Sequence, residues 1–257
     1  MTLSKHILYA FITCCTFAAI FGFPLDAAAQ SLNLDLGEGG GAVTGRVIQL
    51  LAIITVLSLA PSILVMVTSF TRIVIVFSFL RTALGLQQTP PNSVLISLAL
   101  FLTFFIMSPV FEQSYQEGLK PLMEEKITEE QAIEPIIKPF HRFMLGNVRE
   151  KDLELFVDIA RVDEDTLKKP EDTPMQVLIP AFMLSELKRA FEIGFLVYIP
   201  FLIIDMVVAS TLMSMGMMML PPVLVSLPFK LIFFVLVDGW YLIVGSLVRS
   251  FAAPFGA

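Results

Sequence analysis

Cysteine and histidine are almost missing from this chain, with two of each in 257 residues. Cys14 and Cys15 stand side by side near the N-terminus, so the rest of the chain has no thiol for a disulfide, a nucleophile or a thiolate metal site. With His6 equally close to the N-terminus, His141 is the one histidine left, and a single histidine in a polar stretch reads as an ordinary surface or packing residue. Metal-spaced histidine clusters, phosphate-binding glycine loops and Ser/His/Asp arrangements are all absent, so no enzyme and no cofactor is expected. Charge is scarce as well. Only 16% of residues are charged, where a soluble domain carries about a quarter. The net charge of −6 comes without a cluster of Lys and Arg, which argues against nucleic acid as a partner.

What the chain has instead is apolar sequence, at 56% of residues. The few charges are unevenly spread: residues 111–192 hold 18 of the 23 acids and 11 of the 17 bases. Two nearly uncharged regions therefore flank one hydrophilic insert, the pattern of a membrane protein.

The N-terminus has the three parts of a secretory signal peptide: a basic start with Lys5, an apolar run from Ile7 to Phe23, and Ala27-Ala28-Ala29. Cleavage is expected after Ala29, with Ala27 and Ala29 as the small residues of the site; the alternative is an uncleaved first transmembrane helix. Residues 30–45 are polar and glycine-rich and read as a flexible tail. Residues 46–111 read as a first apolar hairpin. Val47 to Thr71 is long enough to span, with a kink expected at Pro61. Arg72 to Arg81 is apolar between two arginines and too short to span. A turn follows at Leu84-Gly85-Leu86 and Thr89-Pro90-Pro91-Asn92, and then a second uncharged run from Ser93 to Phe111.

Residues 112–185 read as a small, mostly helical periplasmic insert. Helix-like spacing covers Leu119–Lys138 and Phe140–Ile159. Pro121, Pro135, Pro139, Pro170, Pro174 and Pro180 are expected to divide it into short pieces, with a charged loop at Asp163 to Thr173. Residues 186–251 read as a second apolar hairpin. Its helix begins at Pro180 and is interrupted by Asp205, and its tip lies around Gly216 and Pro221-Pro222. Residues 252–257 are a C-terminal tail. With the N-terminus outside, Arg72 and Arg81 would face the cytoplasm.

Two features carry functional information. Glu186, Lys188, Asp205, Lys230 and Asp238 lie in or beside apolar runs, where an ionised group facing lipid costs about 2.5–3.5 kcal/mol on insertion scales. They must pair, line a wet cavity, or stay out of lipid; Lys230 is expected to pair with Glu186, Asp205 or Asp238. The other feature is Met213-Ser214-Met215-Gly216-Met217-Met218-Met219, beside a helix breaker. Methionine fills irregular gaps and conforms to varied partners. The run is either core filler or, repeated around an axis, a soft constriction.

Several stretches together resemble the FliP/SctR family of type III secretion export gates. They are Thr68-Ser69-Phe70-Thr71-Arg72-Ile73, Leu80-Arg81-Thr82-Ala83-Leu84-Gly85, Ala99 through Pro109, Ser185-Glu186-Leu187-Lys188, Phe201-Leu202-Ile203-Ile204-Asp205, Met215 through Met219, and Leu227-Pro228-Phe229-Lys230 through Trp240. The resemblance covers about residues 45–251 and is loose over 112–178. It implies an all-α membrane protein whose helical hairpins surround the periplasmic insert and assemble into a ring-like helical export gate. It implies a homo-oligomer, a pentamer, joined by FliQ and FliR in the flagellar basal body of the bacterial inner membrane. FlhB and other export apparatus proteins would be neighbours, and unfolded flagellar substrates would pass through the centre. Met217, Met218 and Met219 would be the channel gate. The alternatives are a virulence secretion gate, an ion or solute transporter using Asp205 and Asp238, or a membrane-tethered periplasmic sensor.

Overall fold

The computed structural model describes residues 40–86, 88–161, 172–217 and 219–252. The expected signal peptide with Ala27 and Ala29, most of the glycine-rich tail, the loop from Asp163, Met218 and residues 253–257 lie outside the described residues. The chain forms two compact units, Met1–Thr55 and Val56–Ala257. In the first, the described residues are helical from Gly40 onward; the second holds the bundle.

Helix α1 covers Gly40–Met66 and α2 covers Phe70–Ala83. The helix starts inside the 30–45 stretch read as a tail. Helix propagation adds one hydrogen bond per residue fixed, so a long apolar helix extends into a few poor helix formers at its end. The chain leaves α1 not at Pro61 but at Val67–Ser69, and those three residues are buried. There Thr71 Oγ1 donates to the Val65 carbonyl at 3.2 Å, satisfying an end group that the break would orphan. The Arg72–Arg81 segment is thus the body of a helix. Its apolar residues Ile73, Val76, Phe77 and Leu80 are at most 1% exposed and repeat at i, i+3, i+4 and i+7, one face of a helix.

Helix α3, Asn92–Ser114, continues through a π-helical turn at Tyr115–Leu119 into α4, Lys120–Met123. Together they make one 32-residue helix whose apolar part is long enough to cross a membrane. The insert then forms α5, Glu129–Asn147, and α6, Glu150–Ala160. Its breaks fall at 124–128, at 148–149 and ahead of Met175, where Pro174 is the N-cap of the next helix, and not at Pro121, Pro135, Pro139 or Pro180. Pro135 and Pro139 lie inside α5, and Pro180 lies inside the next helix. Each proline removes one backbone hydrogen bond, and burial of the helix faces on the bundle offsets that loss: Pro139, Phe143 and Met144 are buried in α5.

Helix α7, Met175–Ser214, has 40 residues and passes through Asp205 without interruption. The Asp205 carboxylate has partners on another helix, so its charge gives no reason to end this one. At 1.5 Å per residue α7 is about 60 Å long, twice the hydrocarbon thickness of about 30 Å. Only half of it fits in a bilayer. The half from 193 to 214, with Asp205 as its sole charge, is the apolar one.

The hairpin tip falls where Gly216 and Pro221-Pro222 put it. Gly216 has φ +73, a left-handed conformation that glycine adopts freely. Helix α8, Pro222–Leu236, returns along α7, and α9, Gly239–Ala252, continues after a 61° bend. Helix α2 packs along α7 closely enough that a Cβ on Gly194 would stand 2.5 Å from the Phe79 ring. Phe143, Phe182, Leu247 and Phe251 join α2 in one core. Every described element is helical or irregular, as an all-α membrane protein requires; two helices are long and apolar enough to cross a membrane, or up to four spans if bent pairs count.

Candidate functional site

Three polar clusters hold the bundle, and all three use α7. Arg72 and Glu186 are 1% and 0% exposed. Arg72 Nε donates to Glu186 Oε2 at 2.8 Å, and Nη2 donates to Oε1, a two-pronged pairing that the planar guanidinium favours. Nη1 donates to Ser250 Oγ at 2.8 Å. The guanidinium carbon lies 3.6 Å from the centroid of the Phe251 ring, so cation–π attraction adds to the pair. One arginine therefore joins α2, α7 and α9. Arg72 is not available as a cytoplasmic topology marker, because its charge is consumed inside the protein.

Lys230 chooses Asp205 from its three expected partners. Its Nζ donates to Asp205 Oδ2 at 2.6 Å and to the Ala83 carbonyl at 3.1 Å. Ser226 Oγ donates to Asp205 Oδ1 at 2.5 Å. Ala83 is the last residue of α2, so the ammonium also caps the negative end of that helix. Lys230 is buried and Asp205 is about a quarter exposed. The cluster ties α7, α8 and the end of α2 together at the base of the hairpin tip.

The third cluster was not legible in the sequence. Ser185 Oγ donates to Asp152 Oδ2 at 2.6 Å, and the Arg149 amide donates to Ser185 Oγ at 3.1 Å. Arg149 Nε and Nη2 donate to the same carboxylate at 2.8 and 2.6 Å. Burial pushes the Asp152 carboxyl up, yet the hydrogen bonds from Ser185 and Arg149 outweigh it and leave it below its ordinary value. The signal that could have found it is the Arg149/Asp152 spacing, i and i+3 at the start of a helix. Residues 185 and 186 thus face two neighbours: Ser185 holds the insert helix α6, and Glu186 holds α2.

Two expected assembly charges are not buried within the chain. Lys188 is half exposed, with Glu192 at 3.5 Å; two residues on from Glu186, it lies across the helix from that buried face. Asp238 is exposed at the bend between α8 and α9, with φ +50. The structure brings Asp205 and Lys230 together, sends Glu186 to Arg72, and leaves Lys188 and Asp238 outside both pairs.

The tip is apolar and uncovered. Met213, Met215, Met217 and Met219 are 61%, 66%, 43% and 98% exposed. Leu220, Val223 and Leu224 beside them are also exposed. Core filler is therefore not the role of these methionines within one chain.

A family model described as the FliP family matches residues 53–247. The Flagellar biosynthetic protein FliP of Caulobacter vibrioides is 58% identical over 234 residues, covering 91% of this chain and 87% of its own length. Its namesake in Agrobacterium fabrum is 52% identical, covering 92% of this chain and 97% of its own length. The Bacillus subtilis protein of that name is 58% identical over 204 residues, covering 79% of this chain and 91% of its own length.

Proposed function

The chain belongs to the FliP family, and from that premise we propose that it is an inner-membrane gate subunit whose copies enclose the export channel. It is a membrane-embedded component of the flagellar export apparatus. Several copies, five by family likeness, join FliQ and FliR around one axis, with FlhB and other apparatus proteins beside them. Unfolded flagellar subunits pass through the centre. The charged insert, residues 112–185, lies on the periplasmic side.

The observation that carries this reading is the hairpin tip. An uncovered run of methionines stands at the end of two rods whose base is pinned by the Asp205–Lys230 pair. A thioether side chain is apolar enough to exclude ions and has three rotatable bonds, so it yields to a passing chain. In closed form Met217, Met218 and Met219 from each copy meet at the axis. Of the two carboxylates the transporter alternative would use, Asp205 and Asp238, Asp205 already has Lys230 and Ser226 on its two oxygens.

Deleting the gene in its own bacterium and measuring flagellar subunits secreted into the medium tests the export role. Secretion should fall to background and return when the gene is restored. Undiminished secretion would overturn the reading.

A further inference from the structure

The level at which α2, α7 and α9 are tied together is also a boundary. Arg72 reaches Glu186 on α7 and Ser250 on α9 with one guanidinium, so those two residues stand at the same depth. Toward the tip from there, residues 193–214 of α7 hold one charge, Asp205. They are about 33 Å long, close to the hydrocarbon thickness of about 30 Å. On the other side lies the charged insert, held at Ser185 by Asp152. Glu186 to Glu192 and Ser250 therefore mark the headgroup layer for an apolar half that stands in a bilayer.

On these three helices the boundary carries surplus positive charge. Within residues 70–76, 182–193 and 246–252 the charged side chains are Arg72, Glu186, Lys188, Arg189, Glu192 and Arg249, four cations against two acids. Glu186 matches Arg72 and Glu192 matches Lys188. Among the described residues Arg189 and Arg249 are in no ion pair; Arg189 is half-buried and Arg249 is exposed.

Arg249 also stands at one end of a groove. Tyr241, Leu242, Gly245, Ser246, Arg249 and Ser250 line a cavity of about 490 Å³ along α9. The α8–α9 segment runs from the level of Asp205, where Lys230 binds it, to the level of Glu186. Going back from Arg249 to Leu242, about 10 Å along the helix, therefore leads from the headgroup layer into the apolar half. A Cβ on Gly245 would meet nothing within 4 Å, so the middle of the groove is open. Ser246 and Ser250 Oγ donate to the Ile243 and Leu247 carbonyls at 2.9 and 2.7 Å, so both protons are taken up by the helix, and the Arg249 guanidinium is the charge in the groove.

The order is that of an amphiphile: a cation suited to phosphate oxygens at headgroup depth, then glycine and leucine below it. We infer that the groove holds one anionic phospholipid, with its phosphate on Arg249 and an acyl chain along Gly245 and Leu242; this rests on the membrane placement given above. A neighbouring protein would have to bring an isolated carboxylate to this depth and a separate aliphatic stretch beneath it, whereas a phospholipid carries both in one molecule. The surplus positive charge favours an anionic headgroup over a zwitterionic one, whose ammonium it repels.

The full chain, co-expressed with the rest of the apparatus, would be purified in mild detergent and its retained phospholipid measured by mass spectrometry, alone and after titration with phosphatidylglycerol or phosphatidylethanolamine. The unaltered protein should retain phosphatidylglycerol severalfold over phosphatidylethanolamine. Arg249→Gln should abolish that preference and Arg249→Lys should keep most of it. Gly245→Phe, which fills the groove from an open position, should lower retention of both lipids, and Lys126→Gln in the exposed part of the insert should change nothing. A photo-reactive phosphatidylglycerol should label the 239–252 peptide, and Arg249→Gln should reduce the label severalfold. Equal retention of the two lipids, or labelling of 239–252 that is indifferent to Arg249→Gln, would overturn the lipid site while leaving the membrane placement standing. A photo-reactive residue in place of Gly245 that joins a protein and no lipid would also overturn it, in favour of that protein. An unaltered chain that carbonate washes from membranes would overturn the membrane placement itself.

Discussion

Lys230 makes two bonds at once: one to the Asp205 carboxylate and one to the carbonyl end of α2. Removing one member of a buried pair leaves the other uncompensated, at a cost of typically about 3–5 kcal/mol. Lys230→Ala should therefore lower the thermal midpoint of the detergent-solubilised protein and reduce its level in membranes. Lys230→Met combined with Asp205→Leu should recover much of the loss, because an apolar pair carries no desolvation penalty. A Lys230→Ala protein with an unchanged midpoint would show that the pair does not hold the hairpin. At this scale the sequence was a partial guide. A lysine in an apolar run announces that it needs a partner, and the partner was among the three acids considered. Arg72 was read only as a marker of the cytoplasmic side, and its pairing inside the bundle was not foreseen, because the rule behind that marker concerns loops. Its true partner lies 114 residues away, at a distance that no local pattern encodes.

Helix α6 shows what an element owes to one carboxylate. It is amphipathic and short, 11 residues, below the length at which isolated helices persist in water. Its docking on α7 runs through Asp152, Arg149 and Ser185. The carboxyl of Asp152 lies below its ordinary value in the folded chain. A depressed folded-state value means that the stabilisation is fully present above the ordinary aspartate range, near 4, and is lost as pH falls through the lower folded value. Hydrogen exchange of α6 amides should therefore show docking unchanged from neutral pH down to about 4, and opening at lower pH. Asp152→Asn should open α6 at neutral pH as well. Protection of α6 in that variant equal to the unaltered chain would contradict the assignment. Element boundaries were legible where backbone chemistry dictates them. Gly85, Gly216 and Pro221-Pro222 marked real turns. They were illegible at Pro135, Pro139 and Pro180, where tertiary packing outweighs the lost hydrogen bond, and at Val67–Ser69, where no proline or glycine marks the break.

On the scale of the whole molecule, the block pattern of charge was the most informative property of the sequence. It separated the insert from the apolar stretches and foretold a membrane chain, while the all-α fold came from the family resemblance. It could not reveal that one 40-residue helix carries all three polar clusters, because Asp205 looked like an interruption. That helix links the insert, held at Ser185, to the tip, held below by Asp205, so the methionine run is presented on a braced rod and not on a loose loop. The account stands or falls on what those methionines do when copies meet. Replacing Met217, Met218 and Met219 together by Ala opens a gap where flexible side chains had filled it. Membrane conductance to small ions should be measured in cells expressing the triple variant, with native gels confirming that the complex is assembled. An assembled complex that leaks ions, where the unaltered complex and a triple Leu variant do not, is the predicted result. An assembled triple-Ala complex that holds ions as tightly as the unaltered one would contradict it.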